Sequence, residues 1–269
     1  MPKQDVEVTS VTPELAAEWL LANTHNRSLR QRVILAYAAD MTSGHWQWNG
    51  ESVKFAQDGT LLDGQHRLAA IVESGVTLPL LVVRGLPNET QDTVDGGTKR
   101  KFSDVLKLRG EKSQNLLAAI IRRVTLWEMG IRKSGSSPYA PTNAEMLQTL
   151  EKYPDLRDVA GWAHLVTMQC SIPGSVLGLC MWLFAQIDTE DTSYFFERLR
   201  DCQALVKGDP IYELRRTAEN TTTIRGQRSE TFLLAITIKA WNAYRGGAQV
   251  GLLTYRPGGA KPEKFPEPR

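Results

Sequence analysis

The chain has 269 residues, 42% of them hydrophobic and 23% charged, a globular mix that supports a packed core and excludes wholesale disorder. Thirty-two basic residues against 30 acidic ones leave a formal net charge of +2, so there is no bulk basic field and nucleic-acid contact would need a local patch. Three cysteines, Cys170, Cys180 and Cys202, are too few for a disulfide framework and lack metal-type spacing, as expected of reduced thiols in a cytoplasmic protein. The first residues lack the apolar core of a signal peptide, and no run approaches the ~20 apolar residues of a membrane span.

In chain order, VEVTS (6–10) alternates apolar and polar residues and predicts a strand. A helix follows, with Thr12 as N-cap, Pro13 at its first position, and Leu15, Trp19 and Leu20 on one face. Ser28 and Gln31 stand at capping-box spacing and predict a second helix that stops before Gly44. SVKFA (52–56) reads as a strand, Asp58-Gly59 as a hairpin turn, and Leu61-Leu62 as the returning strand. HRLAAIVESG predicts a short helix closed by Gly75. VTLPLLVVRG (76–85) reads as a buried strand whose start, at Pro79, lies at an edge. A turn at Asp95-Gly96-Gly97 precedes a helix around FSDVLKL that ends at Gly110.

Beyond about residue 113 the apolar period is 3.6 almost throughout. QNLLAAIIRRVTLWEM, TNAEMLQTLEKY, LRDVAGWAHLVTM, GSVLGLCMWLFAQI, YFFERLRDCQAL and ETFLLAITIKAWNAY all carry helical faces, with Thr142 and Glu145 at capping-box spacing. The final stretch holds four of the 13 prolines and predicts an extended tail.

One segment concentrates chemistry: LLDGQHRLAA (61–70). A strand ends in Asp63-Gly64 and a helix begins with Gln65, His66 and Arg67. Helix-start N–H groups lack intrahelical partners and carry the positive end of the helix dipole, so such a turn can bind an anion. Gly64 lets backbone approach a phosphate, Arg67 offers a two-pronged donor and His66 another. Asp63 can hold a magnesium ion or take a proton. The same turn can equally be a tight corner with a surface arginine.

With the strand pair SVKFAQDGTLL ahead of it and the strand LPLLVVRG behind it, DGQHRLAA resembles the ParB/sulfiredoxin superfamily over roughly residues 5–86. NTHNR (23–27), WQWNGE (46–51), the D-x-G-x-x-R loop at 95–100 and a helical tail ending in FP are similar to a group of phage and actinobacterial proteins labelled ParB-like nucleases. The resemblance implies that Gly64, Gln65, His66 and Arg67 bind nucleotide phosphates, with ATP or CTP as the nucleotide and Mg²⁺ as cofactor. Gln65 stands where sulfiredoxin carries its catalytic cysteine, so sulfinic-acid reduction, which passes through a sulfur intermediate, is not available. A ParB-like serine kinase has a carboxylate near this pocket, and Glu51 is its match here, a solvated strand-end glutamate being the plain alternative.

Arg27 can close over a phosphate. Lys99, Arg100 and Lys101, beside two glycines, suit a nucleic-acid backbone or a solvated basic turn. Trp46 and Trp48 can stack a base or pack in the core. The expected architecture is α+β: a ParB-like domain with a small mixed sheet (1–110), an all-helical domain (111–247) and a proline-rich tail (248–269). The expected function is nucleotide binding with phosphotransferase or NTPase activity in phage or mobile-element DNA metabolism. Asp63, Glu51 and His66 would be catalytic, and Asp63 the metal ligand. The expected partners are a nucleotide, DNA and a second copy of the chain, with no membrane. The alternatives are a nucleotide-gated, partition-like DNA-binding module and a metal-dependent nuclease.

Overall fold

A computed structural model describes residues 4–24, 26, 28–93, 101–132, 139–221, 229–259 and 261–269. Its fold is α+β, a small mixed sheet with helices around it and an all-helical remainder. The chain divides into two compact units, residues 1–99 with 137–144, and residues 100–136 with 145–269. The division falls ahead of the helix at FSDVLKL, which the sequence reading places in the first domain.

The first unit contains β1 (Asp5–Val11), α1 (Pro13–Leu20), α2 (Gln31–Thr42), β2 (Ser52–Ala56), β3 (Leu61–Asp63), α3 (Gln65–Ser74) and β4 (Leu78–Leu86), then a 3-10 turn at Asn88–Thr93. Strand order is β1-β4-β2-β3. β4 runs antiparallel to β1 and parallel to β2, and β2 and β3 form an antiparallel hairpin. Thr12 caps α1 by accepting the N–H of Leu15 at 3.2 Å. Pro79 pairs with Ser10 of β1 and lies ahead of Leu81, where the β2 pairing begins. The strand is therefore interior over most of its length but one-sided where the proline sits, as a residue without an N–H requires.

Burial splits the sheet into two faces. Val53, Phe55, Leu80 and Val82 join Ile34, Leu68 and Ile71 in one core cluster. The alternation in β1 does not mark a buried face, because Val6 and Val8 are 60% and 61% exposed. β4 alternates buried with half-buried residues, so it is not the doubly covered strand its composition suggests. Trp19 meets Phe55 edge-on at 5.3 Å, and the Arg84 guanidinium lies 4.4 Å from the Phe55 centroid.

The second unit contains α4 (Phe102–Leu108), α5 (Gln114–Glu128), α7 (Leu156–Thr167), α8 (Gly174–Ala185), α9 (Thr189–Asp201), α10 (Pro210–Thr221) and α11 (Glu230–Arg245), together with most of α6 (Asn143–Lys152). The sequence reading passes over α10. The central helix is α8, buried from Val176 through Phe184, as its apolar residues on every side demand. Its Phe184 stacks on Trp241 of α11 at 4.3 Å and meets Phe195 of α9 edge-on at 5.9 Å. The proline-rich tail has no helix or strand among its described residues, yet it is packed rather than loose. Leu253 and Tyr255 are buried in the helical core, and Trp241 Nε1 donates to the Arg269 carbonyl at 3.0 Å. No helix among the described residues is long and apolar enough to cross a membrane.

Candidate functional site

The β2–β3 hairpin and the start of α3 bring four charged side chains together. Cross-strand register sets Lys54 opposite Asp63, and Lys54 Nζ donates to Asp63 Oδ2 at 2.8 Å, the close contact such facing positions allow. Asp63 and Arg67 are four residues apart, so the first turn of α3 swings the guanidinium back to the carboxylate, Nη2 to Oδ2 at 3.5 Å. Nη2 also donates to the Ser52 carbonyl at 2.9 Å. Glu51 completes the group with Oε2 3.7 Å from Arg67 Nη1, too long for a hydrogen bond. The Arg67 side chain is 8% exposed and that of Glu51 68%. Arg67 Nη1 is buried and has no hydrogen-bond partner among the described residues.

Gly64 makes the corner. It precedes α3 with φ +105°, and no side chain caps the helix there. A Cβ on Gly64 would lie 2.9 Å from Val53 Cγ2 and 3.2 Å from Val53 Cα, so β2 and the helix start meet with room for hydrogen only. Among the four charged groups the balance is two cations against two anions.

Gln65 and His66 each hold a neighbouring segment. Gln65 is buried and its Oε1 accepts from Asn23 Nδ2 at 2.9 Å. Asn26 Nδ2 in turn donates to Asn23 Oδ1 at 2.7 Å and to the Leu61 carbonyl at 2.6 Å. The Gln65 carboxamide oxygen therefore belongs to a part-buried amide chain. His66 Nε2 accepts the backbone N–H of Arg30 at 3.1 Å. That nitrogen is an acceptor here, not the phosphate donor the motif suggests. Arg27, Lys99 and Arg100 lie outside the described residues. Lys101 is exposed at the start of α4, in the second unit, where its N–H donates to Asp104 at 2.8 Å.

Asp63 does not fit the metal role. Its Oδ1 accepts the Gly64 N–H at 2.7 Å while Oδ2 faces Lys54 and Arg67. A divalent cation would have to displace an ammonium to reach it. Among the described residues no three His, Cys, Asp or Glu side chains are grouped so as to hold a metal ion. No step is therefore assigned to magnesium.

Lys54 and the Ser52 carbonyl are site groups the sequence reading did not single out. The turn alone does not give Lys54: with Phe55 opposite Leu61 a regular hairpin would set Val53 across from Asp63, and the register shift between Lys54 and Phe55 brings Lys54 there instead. Comparison with protein-family models, curated proteins and solved structures gave no match.

Proposed function

We propose that the first unit binds the phosphate groups of a nucleotide at the β3–α3 corner. The observation carrying this reading is Arg67 Nη1, a buried guanidinium nitrogen with no hydrogen-bond partner among the described residues, beside a helix start that no side chain caps. An unpaired buried donor costs about 1–3 kcal/mol. A phosphate oxygen would satisfy it with a charge-assisted bond while lying on the positive end of the α3 dipole. Glu51, exposed and 3.7 Å away, is the counter-charge that an incoming phosphate displaces. Gly64, with no Cβ to meet Val53, lets β2 pack directly against the helix start.

The resemblance of DGQHRLAA to ParB-like proteins supports the same reading and adds ATP or CTP as ligands and phosphoryl transfer as the activity. Phosphoryl transfer depends mainly on positioning and charge stabilisation. Glu51, freed from Arg67 by the phosphate, is the carboxylate placed to orient an acceptor hydroxyl. The engagement of Asp63 by Lys54 at 2.8 Å favours a second reading, nucleotide binding without turnover, as in a partition-like module.

Calorimetric titration with ATP, CTP, GTP and UTP, with and without Mg²⁺, tests the binding. Wild type is expected to bind at least one of them and Arg67→Met to lose at least about tenfold in affinity, one lost charge-assisted bond. No binding of any nucleotide to the folded protein overturns the proposal. Assay of phosphate release and of label transfer then separates the readings: turnover supports the phosphotransferase or NTPase, and binding without turnover the module.

A further inference from the structure

Trp46 and Trp48 stand two residues apart on the irregular segment that leads into β2, and they have different fates. Trp46 is half-buried and meets Tyr37 edge-on at 5.5 Å, packed against the core of the unit. Trp48 is 52% exposed, the most exposed of the chain's seven tryptophans. It stands three residues ahead of Glu51, whose carboxylate is 3.7 Å from Arg67 Nη1. The intervening turn is fixed: Asn49 Oδ1 accepts the Glu51 N–H at 3.0 Å, and Gly50 takes φ +78°. Even fully extended, three residues span no more than about 11 Å, so the Trp48 backbone lies within that distance of Glu51.

We infer that Trp48 is the nucleobase platform of this site: the base of a phosphate-bound nucleotide stacks on its indole. The inference rests on the nucleotide-phosphate reading of Arg67 and extends it to the other end of the ligand. An exposed indole offers a base plane a stacking partner of matching size and polarity. Stacking is tolerant of base identity because every base has a π-face. The site therefore takes purine and pyrimidine nucleoside triphosphates with similar affinity, and it discriminates a nucleotide from a bare polyphosphate.

The test is titration of wild type, Trp48→Ala and Trp48→Phe with ATP, CTP and inorganic tripolyphosphate, with thermal melts to verify the fold of each variant. Trp48→Ala is expected to weaken ATP and CTP by about 5- to 150-fold, the range of one stacked base, and to leave tripolyphosphate unchanged. Trp48→Phe is expected to restore part of the loss. If wild type binds all three and Trp48→Ala changes none, or weakens all three alike, the platform is overturned while the phosphate site stands. If wild type binds neither nucleotide nor tripolyphosphate, both the phosphate site and the platform are overturned.

Discussion

His66 of α3 accepts the backbone N–H of Arg30, the residue that caps α2, at 3.1 Å. In a capping box that N–H is taken by a glutamate or glutamine side chain from the same helix. Here an imidazole from a different helix takes it, and Arg30 supplies no side-chain cap. Two helices distant in sequence are thereby joined at their starts by one ring nitrogen.

His66→Ala is expected to destabilise the protein by about 0.5–1.5 kcal/mol, the worth of one such hydrogen bond, measured by urea unfolding. His66→Gln, which offers an acceptor oxygen from a similar distance, should recover part of the loss. Equal stability of His66→Ala and wild type would show that the bond contributes nothing.

Gly64 and Gly59 both have positive φ, +105° and +87°, but only Gly64 has neighbours close enough to meet a Cβ. Gly59→Ala is expected to cost about 1 kcal/mol from left-handed strain alone. Gly64→Ala should cost that and a further 1–3 kcal/mol or so from overlap with Val53. Equal unfolding midpoints for the two variants would disprove the close approach of β2 to the helix start.

Removing the counter-charge should favour the ligand. Glu51→Gln is expected to raise tripolyphosphate affinity by about two- to fivefold at low salt, the scale of an exposed ion pair. The gain should shrink at high ionic strength, because an exposed charge is screened. A loss of affinity would instead make Glu51 part of the binding surface.

Acid should weaken the helical unit through named carboxylates. A hydrogen bond from Lys239 holds Glu263 below the usual glutamate range, and one from Arg157 does the same for Glu111. Because the folded state favours the charged forms, their stabilisation is complete above the ordinary value near pH ~4.3 and is lost as pH falls through the lowered folded values. Melting temperatures measured from pH 7 down to pH 3 should fall less steeply in a Glu263→Gln, Glu111→Gln double variant than in wild type. Parallel curves would assign the acid loss to other groups.

Local chemistry made much of the fold readable. Thr12-Pro13 starts a helix where a capping hydroxyl and a proline can only start one. Asp58-Gly59 turns a hairpin, and Gly75 ends α3 in the left-handed conformation. α8 is interior because its sequence has no polar face. Where partners came from afar, local rules failed. Ser28 and Gln31 have capping-box spacing, yet α2 begins after Arg30, whose N–H is taken by His66 of another helix. Val6 and Val8 alternate as buried residues do, but nothing in the pattern of one strand says which of its faces another layer will cover.

The same division holds for the site. By itself the sequence determined the corner: a glycine between a strand and a helix, an aspartate before it and an arginine one turn after it, since these follow from spacing along the chain. Only the tertiary structure decided what each side chain faces. It set Lys54 across from Asp63, drew Gln65 into the amide chain with Asn23, gave the His66 nitrogen to α2 and buried Arg67 with one nitrogen that has no hydrogen bond among the described residues. Hydrogen bonds and ion pairs are short-ranged and directional. Their partners are therefore fixed by which segments packing brings within about 3 Å, a property no stretch of sequence carries alone.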